Sequence, residues 1–167
     1  DRSPSRGLGD VYKRQVTSLL EKEHYKEGIF ELEVAVGGTA SGTSSIAYTL
    51  KDASDKTVLE GSRKLESHGS GNLIVFDEQR LPDVRRWNAE HPELYTLLLE
   101  LKDAGGKVTE ITGTKVGFRT SEIKNGRFCI NGVPVLVKGV NRHEHSQLGR
   151  TVSKELMEQD IRLSLIH

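Results

Sequence analysis

The sequence predicts a mainly β protein, in which an immunoglobulin-like β-sandwich is followed by one strand-loop-helix unit. From Gly28 to Lys102, apolar residues alternate with polar ones, which is typical of antiparallel strands with one wet face. About seven such strands, separated by turn residues, favour two packed sheets. Near 121–124 this pattern gives way to a short apolar run and then a helical pattern. We therefore assign residues 16–122 to the sandwich and 123–162 to a second domain.

The predicted strands differ in how clearly they alternate. The first two have well-spaced apolar positions at Phe30, Leu32, Val34 and Val36, and then at Ile46, Tyr48 and Leu50. Weaker strands are predicted over 57–67 and 73–76. Tyr95 begins the clearest strand, which ends at the hairpin connection 103–106 into a last strand over 108–120. Because only 5% of the residues are aromatic, we expect a mainly aliphatic core.

Two Asn-Gly pairs follow the sandwich, at Asn125-Gly126 and Asn131-Gly132. Asn-Gly is a strong signal for a two-residue hairpin turn, because both residues tolerate positive φ. The two turns would frame a short strand over 127–130.

The apolar run over 133–140 has the pattern of a strand that is buried on both faces, as in a parallel sheet. After it, Ser153 can cap a helix with Glu155 in the first turn and apolar residues at Leu156, Met157 and Ile161. The carboxyl end of a strand in such a unit is where barrels and open α/β sheets build their active sites. The residues at that end can bond, titrate or carry charge: Asn141, Arg142, His143, Glu144 and His145.

His143 and His145 can face one ligand, because residues i and i+2 of an extended segment point to the same side. A zinc-type hydrolase is one interpretation, although two ligands fall short of the three that a catalytic zinc site has. A second is hydrogen bonding to substrate hydroxyls, with Arg142 and Glu144 orienting the cluster. A third is a polar strand end exposed to water. The motif alone leaves all three open.

The segment 87–95 contains the only tryptophan of the chain, Trp87. It could stack on a sugar or anchor its own loop. We favour the anchor, because large aromatic side chains mostly bury their area in packing.

Composition narrows the functional classes. Lys and Arg together number 24, as do Asp and Glu, so no basic field suggests a nucleic-acid partner. The single cysteine, Cys129, excludes an internal disulfide framework, and we expect it reduced in a strand. No apolar run approaches the length of a membrane span.

The two ends of the chain can be the two strands of one DNA element. Asp10–Gln15 can be encoded as GAT GTG TAT AAG AGA CAG, and the reverse complement of that DNA encodes Leu163–His167. The pair resembles a translated transposon-type sequencing adapter. We therefore expect residues 1–15 and 163–167 to be foreign to the native protein.

Several motifs in order resemble the sandwich-to-barrel junction of glycoside hydrolase family 2, specifically of its β-galactosidases. They are Val116-Gly-Phe-Arg119, Glu122-Ile123, Asn131-Gly-x-Pro134 and Gly139-Val-Asn-Arg-His-Glu-His145, with Trp87-Asn-Ala-Glu-x-Pro-x-Leu-Tyr95 before them. The resemblance implies that the second domain is the first hairpin, strand and helix of an incomplete (β/α)₈ barrel. The chain would then be an internal fragment of a longer enzyme.

The resemblance also implies a function. The intact enzyme would cleave terminal β-galactosides by the retaining mechanism of the family, which uses two glutamates on later barrel strands, and Glu144 matches neither of them. His143 matches a histidine that contacts the sugar, and the supporting pocket residues would be Asn141, Arg142, Glu144 and His145. The fragment alone should be inactive and hold no cofactor.

Further expectations from the resemblance concern the intact enzyme. Its ligands for magnesium and sodium, its amino-terminal sugar-binding domain and the rest of the barrel would lie outside the fragment. We expect a cytoplasmic enzyme, with the periplasm or secretion as alternatives, that can form a homo-oligomer. The alternative function is a non-catalytic β-sandwich module that binds carbohydrate or a neighbouring subunit.

Overall fold

The computed structural model describes residues 10–37, 43–65, 72–137, 139, 149 and 151–164. The chain divides into two compact units, Asp1–Val135 and Leu136–His167. The division falls after the two Asn-Gly turns, whereas the sequence boundary was placed before them. The assignment of 16–122 and 123–162 to separate domains stays a prediction.

Seven strands of the first unit form a sandwich of two antiparallel sheets. They are β1 (Asp10–Leu20), β2 (Gly28–Gly37), β3 (Thr43–Lys51), β4 (Thr57–Lys64), β5 (Asn72–Leu81), β6 (Tyr95–Asp103) and β7 (Val108–Val116). One sheet has the order β1-β2-β5 and the other has the order β4-β3-β6-β7. Leu32 pairs with Phe76 in the first sheet, and Tyr48 pairs with Leu99 in the second. The predicted mainly β sandwich is confirmed.

The core lies between the two sheets and follows the predicted period of two. Phe30, Ile46, Leu97 and Leu101 are all 0% exposed. Aliphatic residues outnumber aromatic ones in the core, as predicted. Most of the few aromatic side chains are buried there too. The ring centroids of Tyr48 and Phe76 lie 4.8 Å apart in an edge-to-face arrangement.

Strand β1 was not predicted. Its residues pair with β2 from Asp10↔Gly37 to Leu20↔Gly28. The strand was missed because its first half was set aside as adapter-derived, which left too few residues to show alternation. The adapter origin of 1–15 and 163–167 stays a prediction.

Three further strands form a small antiparallel sheet at the end of the first unit: β8 (Ser121–Lys124), β9 (Arg127–Ile130) and β10 (Val133–Pro134). We call residues 121–134 the junction hairpin. Asn125 and Gly126 have φ angles of 51° and 71°, and Asn131 and Gly132 have 53° and 75°. Both predicted Asn-Gly turns are confirmed, since positive φ at both central residues is what a type I′ turn requires.

The apolar run after the hairpin does not form the predicted buried strand over its described residues. Pairing ends at Pro134, apart from the Val135 amide, which donates to the Phe128 carbonyl at 2.9 Å. Leu136 and Val137 are 79% and 77% exposed. The physical reason is that a strand of a parallel sheet needs a neighbour on each side, and apart from that one Val135 hydrogen bond no described strand pairs with 135–137.

In the second unit, one helix, α1 (Lys154–Ser164), confirms the helical prediction. Ser153 caps it as expected, because its Oγ accepts a hydrogen bond from the Leu156 amide at 3.3 Å. A hydrogen bond from its own backbone amide, and after it one from the Ser153 hydroxyl, lower the pKa of Glu155 in the first turn. In the described part of the chain, no helix is long and apolar enough to cross a membrane.

Candidate functional site

The five predicted pocket residues lie outside the described residues: Asn141, Arg142, His143, Glu144 and His145. The structure does describe the segment that leads to them, which is the junction hairpin and the end of the sandwich on which it packs. This attachment fixes the end of the first unit, after which the chain continues to residues 141–145.

Asn131 joins the hairpin to two other segments of the sandwich. Its backbone amide and its side-chain carbonyl both bond the backbone of Thr120. The Asn131 backbone N–H donates to the Thr120 carbonyl at 2.8 Å, and the side-chain oxygen Oδ1 accepts from the Thr120 amide at 3.0 Å. Asn131 Nδ2 donates to the Trp87 carbonyl at 2.9 Å. The residue is 9% exposed, so these bonds compete little with water.

Thr120 extends the same network to the end of β1. Its hydroxyl accepts from the Leu20 amide at 2.9 Å and donates to the Leu20 carbonyl at 2.7 Å. Thr120 is 3% exposed, and every buried side-chain polar atom in the described part has a hydrogen-bond partner. A satisfied buried network of this kind fixes one arrangement of the segments that it joins.

A second attachment is centred on Tyr25, in the loop between β1 and β2. The Tyr25 hydroxyl donates a hydrogen bond to Glu122 Oε1, and this bond raises the pKa of Tyr25. The Lys124 ammonium lies 5.7 Å from the centre of the ring. A Cβ on Gly132 would lie 2.5 Å from Tyr25 Cε2, so the second turn can approach the ring only because it has glycine there.

The loop that holds Tyr25 is itself organised by one carboxylate. The side chain of Glu21 accepts hydrogen bonds from the backbone amides of Lys26, His24 and Glu23. These bonds, that of Lys26 above all, lower the pKa of Glu21 to about 2. The loop therefore keeps its shape with Glu21 ionised.

The geometry of Trp87 agrees with the interpretation of a loop anchor. Its amide donates to the Phe118 carbonyl at 2.9 Å, and its ring packs so closely on Gly117 that a Cβ there would lie 3.0 Å from it. The Arg119 guanidinium lies 4.5 Å from the centre of the indole. A sugar could stack on that face only by displacing Arg119.

The remaining candidates for chemistry are the Cys129 thiol and possible metal ligands. Cys129 is 2% exposed in β9, where its thiol contacts the Arg127 carbonyl at 3.6 Å, in keeping with a structural role. Among the described residues, no group of three or more His, Cys, Asp or Glu side chains could hold a metal ion. The histidine pair of the zinc interpretation is outside that part, so the interpretation stays untested.

Sequence reasoning found part of this attachment and missed part. Asn131 and Gly132 were recognised as a turn, but not as buried contacts of the sandwich. Tyr25 was missed altogether, because a single tyrosine in a polar loop has no periodic signal. Its partner Glu122 lies in one of the family motifs, which was the only available indication.

Two family models match consecutive parts of the chain. The first, "Glycosyl hydrolases family 2", matches residues 11–119, and the second, "Glycosyl hydrolases family 2, TIM barrel domain", matches residues 121–167. They meet at Thr120, where the sandwich passes into the junction hairpin.

Curated relatives of the chain include β-galactosidases. That of Priestia megaterium is 41% identical over 164 residues, which are 94% of this chain and 16% of the relative. That of Photobacterium profundum is 36% identical over 144 residues, which are 82% of this chain and 14% of the relative. The chain thus spans only a small part of the length of these relatives.

Solved structures with the same fold include β-glucuronidases. That of Parabacteroides merdae has a TM-score of 0.73 and covers 92% of this chain, and this chain covers 19% of it. The two sequences are 22% identical, so the likeness concerns the fold.

Proposed function

Because the chain belongs to glycosyl hydrolases family 2, we propose that it is an internal segment of a retaining β-galactosidase that hydrolyses terminal β-galactosides. The observation that supports this most directly is the succession of two family models along one chain whose curated relatives are β-galactosidases. The sandwich would be a supporting domain, and the residues after the junction hairpin would begin the catalytic barrel.

In this proposal, the junction hairpin holds the start of the first barrel strand in a fixed position. Catalysis requires that side chains be held to within a fraction of an ångström, which a loosely attached strand cannot provide. The bonds of Asn131 and Thr120, together with the contact of Tyr25 with Glu122, fix the hairpin to the sandwich. The first barrel strand would therefore start from a rigid base.

His143 would contact the sugar at the carboxyl end of that strand and favour the transition state. The supporting pocket residues would be Asn141, Arg142, Glu144 and His145. A retaining mechanism needs two carboxyl groups, because the leaving oxygen is protonated on one side of the sugar while the other side is attacked. We assign both to glutamates outside these 167 residues, and Glu144 to neither role.

Metal ions would belong to other parts of the longer enzyme. The family resemblance assigns the ligands of magnesium and sodium to segments outside the chain. The described residues contain no group of three acidic, histidine or cysteine side chains that would fit such an ion.

The proposal is tested by expressing the uninterrupted reading frame from source DNA and assaying it with chromogenic β-galactoside and β-glucuronide. We expect turnover of the galactoside only, and none by the 167-residue chain. In the longer enzyme, His143→Ala should lower kcat far more than it raises KM, because the contact would strengthen in the transition state.

Three outcomes would contradict the proposal. Preferred turnover of the glucuronide would overturn the substrate, and activity of the purified 167-residue chain would overturn the assignment of the catalytic glutamates. A reading frame that ends soon after Ile161 would instead favour the non-catalytic sandwich module.

A further inference from the structure

A groove of about 700 Å³ runs along one side of the sandwich, between the edge strands β1 and β7. Each of these strands pairs with a neighbour on one side only. The two edges meet at Ser18, whose hydroxyl donates to the Gly117 carbonyl at 3.0 Å and whose carbonyl accepts from the Arg119 amide at 3.4 Å.

The free edge of β1 presents hydrogen-bonding groups to the groove. The carbonyl of Ser18 and the backbone of Leu20 both point away from β2, since they bond Arg119 and Thr120. Both backbone groups of a residue in an antiparallel strand point to the same side, and the direction alternates along the strand. Val16 therefore turns its N–H and C=O toward the groove, where an added strand could pair with them.

The side chains of the groove combine apolar surface with positive charge. Leu19 and Leu94 are 44% and 39% exposed, and Trp87 is half-buried beside them. The cations are Lys115, Arg119 and Arg14, and no acidic residue is among the described lining residues. Arg14 lies in the segment expected to be adapter-derived, which leaves Lys115 and Arg119 as the cations of the native groove.

We propose that this groove binds an extended segment with alternating acidic and apolar residues as an added strand, and that the segment comes from the longer polypeptide. The source of the segment rests on the proposed function. The alternation would direct carboxylates to Lys115 and Arg119 and apolar side chains to Leu19 and Leu94.

Two observations support this occupant. The proposed longer enzyme has further polypeptide that could fill the groove, since the matched β-galactosidases extend far beyond the 14% to 16% of their length that this chain covers. A second copy of the sandwich fits less well, because a two-fold contact through this groove would bring the same basic lining residues together, and none of the described lining residues is acidic. Like charges facing each other oppose such a contact.

The test uses the purified 167-residue chain and a blocked peptide of alternating glutamate and valine at low ionic strength. Trp87 is the only tryptophan and lines the groove, so its fluorescence reports binding there. Hydrogen exchange should show new protection at the Val16 amide. We expect a saturable change with this peptide and none with a peptide of alternating lysine and valine.

Charge-reversal variants test whether the peptide binds in this groove. Lys115→Glu should weaken binding roughly three- to ten-fold, as reversal of one exposed charge contact would. The matched control is Lys107→Glu, which makes the same change on an exposed lysine in the β6–β7 turn, away from the groove, and should bind as the unchanged chain does. No saturable binding, equal binding of the two peptides, or equal losses in the two variants would overturn the proposal.

The source of the segment is tested separately on the uninterrupted protein. Its groove should already be filled, so the glutamate-valine peptide should not bind. Binding as strong as that of the 167-residue chain would overturn the assignment to the same polypeptide, and so would concentration-dependent dimerisation of the 167-residue chain that the peptide abolishes. Since neither readout uses enzyme activity, an inactive protein that excludes the peptide would contradict the proposed function alone.

Discussion

Replacing Asn131 by alanine tests whether the junction hairpin is held by buried hydrogen bonds. The Asn131 side chain donates to the Trp87 carbonyl at 2.9 Å and accepts from the Thr120 amide at 3.0 Å, at a position that is 9% exposed. Asn131→Ala leaves both backbone groups unpaired, at a cost of roughly 1–3 kcal/mol each. It also places alanine at a φ of 53°, which adds about 1 kcal/mol. We expect a loss of unfolding free energy of about 3 kcal/mol or more.

Asn125→Ala is the matched control, because Asn125 occupies the first Asn-Gly turn with a φ of 51° but is exposed. It should lose only the backbone contribution of about 1 kcal/mol. Urea unfolding, followed by far-ultraviolet circular dichroism and by Trp87 fluorescence, gives both free energies. If the two variants agree to within about 0.5 kcal/mol, the buried hydrogen bonds do not hold the hairpin.

Two further predictions concern the contacts around Tyr25. Gly132→Ala should destabilise the chain by about 2 kcal/mol more than Gly126→Ala in the same urea assay, because a Cβ at 132 meets the Tyr25 ring whereas one at 126 meets open space at a similar φ. Equal losses would show that the ring moves aside. Glu21 has a pKa lowered from 4.5 to about 2, so its contribution to stability is present above about pH 4.5 and is lost as the pH falls through about 2. The urea midpoint of the unchanged chain should therefore fall more steeply over that range than that of Glu21→Gln, and parallel pH profiles would contradict this.

Local patterns were enough to predict most of the sandwich. The alternation in β2, β3 and β6 reflects one buried face, and this is a property of each strand by itself. The Asn-Gly turns and the Ser153 cap are equally local, since each depends on the conformation of adjacent residues. All of them are confirmed.

The attachment of the hairpin could not be predicted in the same way. The bond between Asn131 and Trp87 joins residues 44 positions apart, and the bonds between Thr120 and Leu20 join residues 100 positions apart. The pattern of apolar and polar residues within one strand does not indicate such a distant partner. Only the grouping of Trp87, Arg119 and Asn131 in family motifs indicated that these segments belong together.

The apolar run after the hairpin was predicted to be a strand buried on both faces, but Leu136 and Val137 are exposed in this chain. Leu136 and Val137 are 79% and 77% exposed, and full burial of such a side chain is worth roughly 1.5–3 kcal/mol. Contiguous exposed apolar surface of this kind marks a contact with another element. The pattern of 133–140 is that of a strand with neighbours on both sides, and no described strand pairs with 136–137. The proposed barrel would supply these neighbours from later parts of the longer enzyme, so Val137 should become protected in the uninterrupted protein. If hydrogen exchange at Val137 is as fast there as in the 167-residue chain, the segment does not begin a barrel.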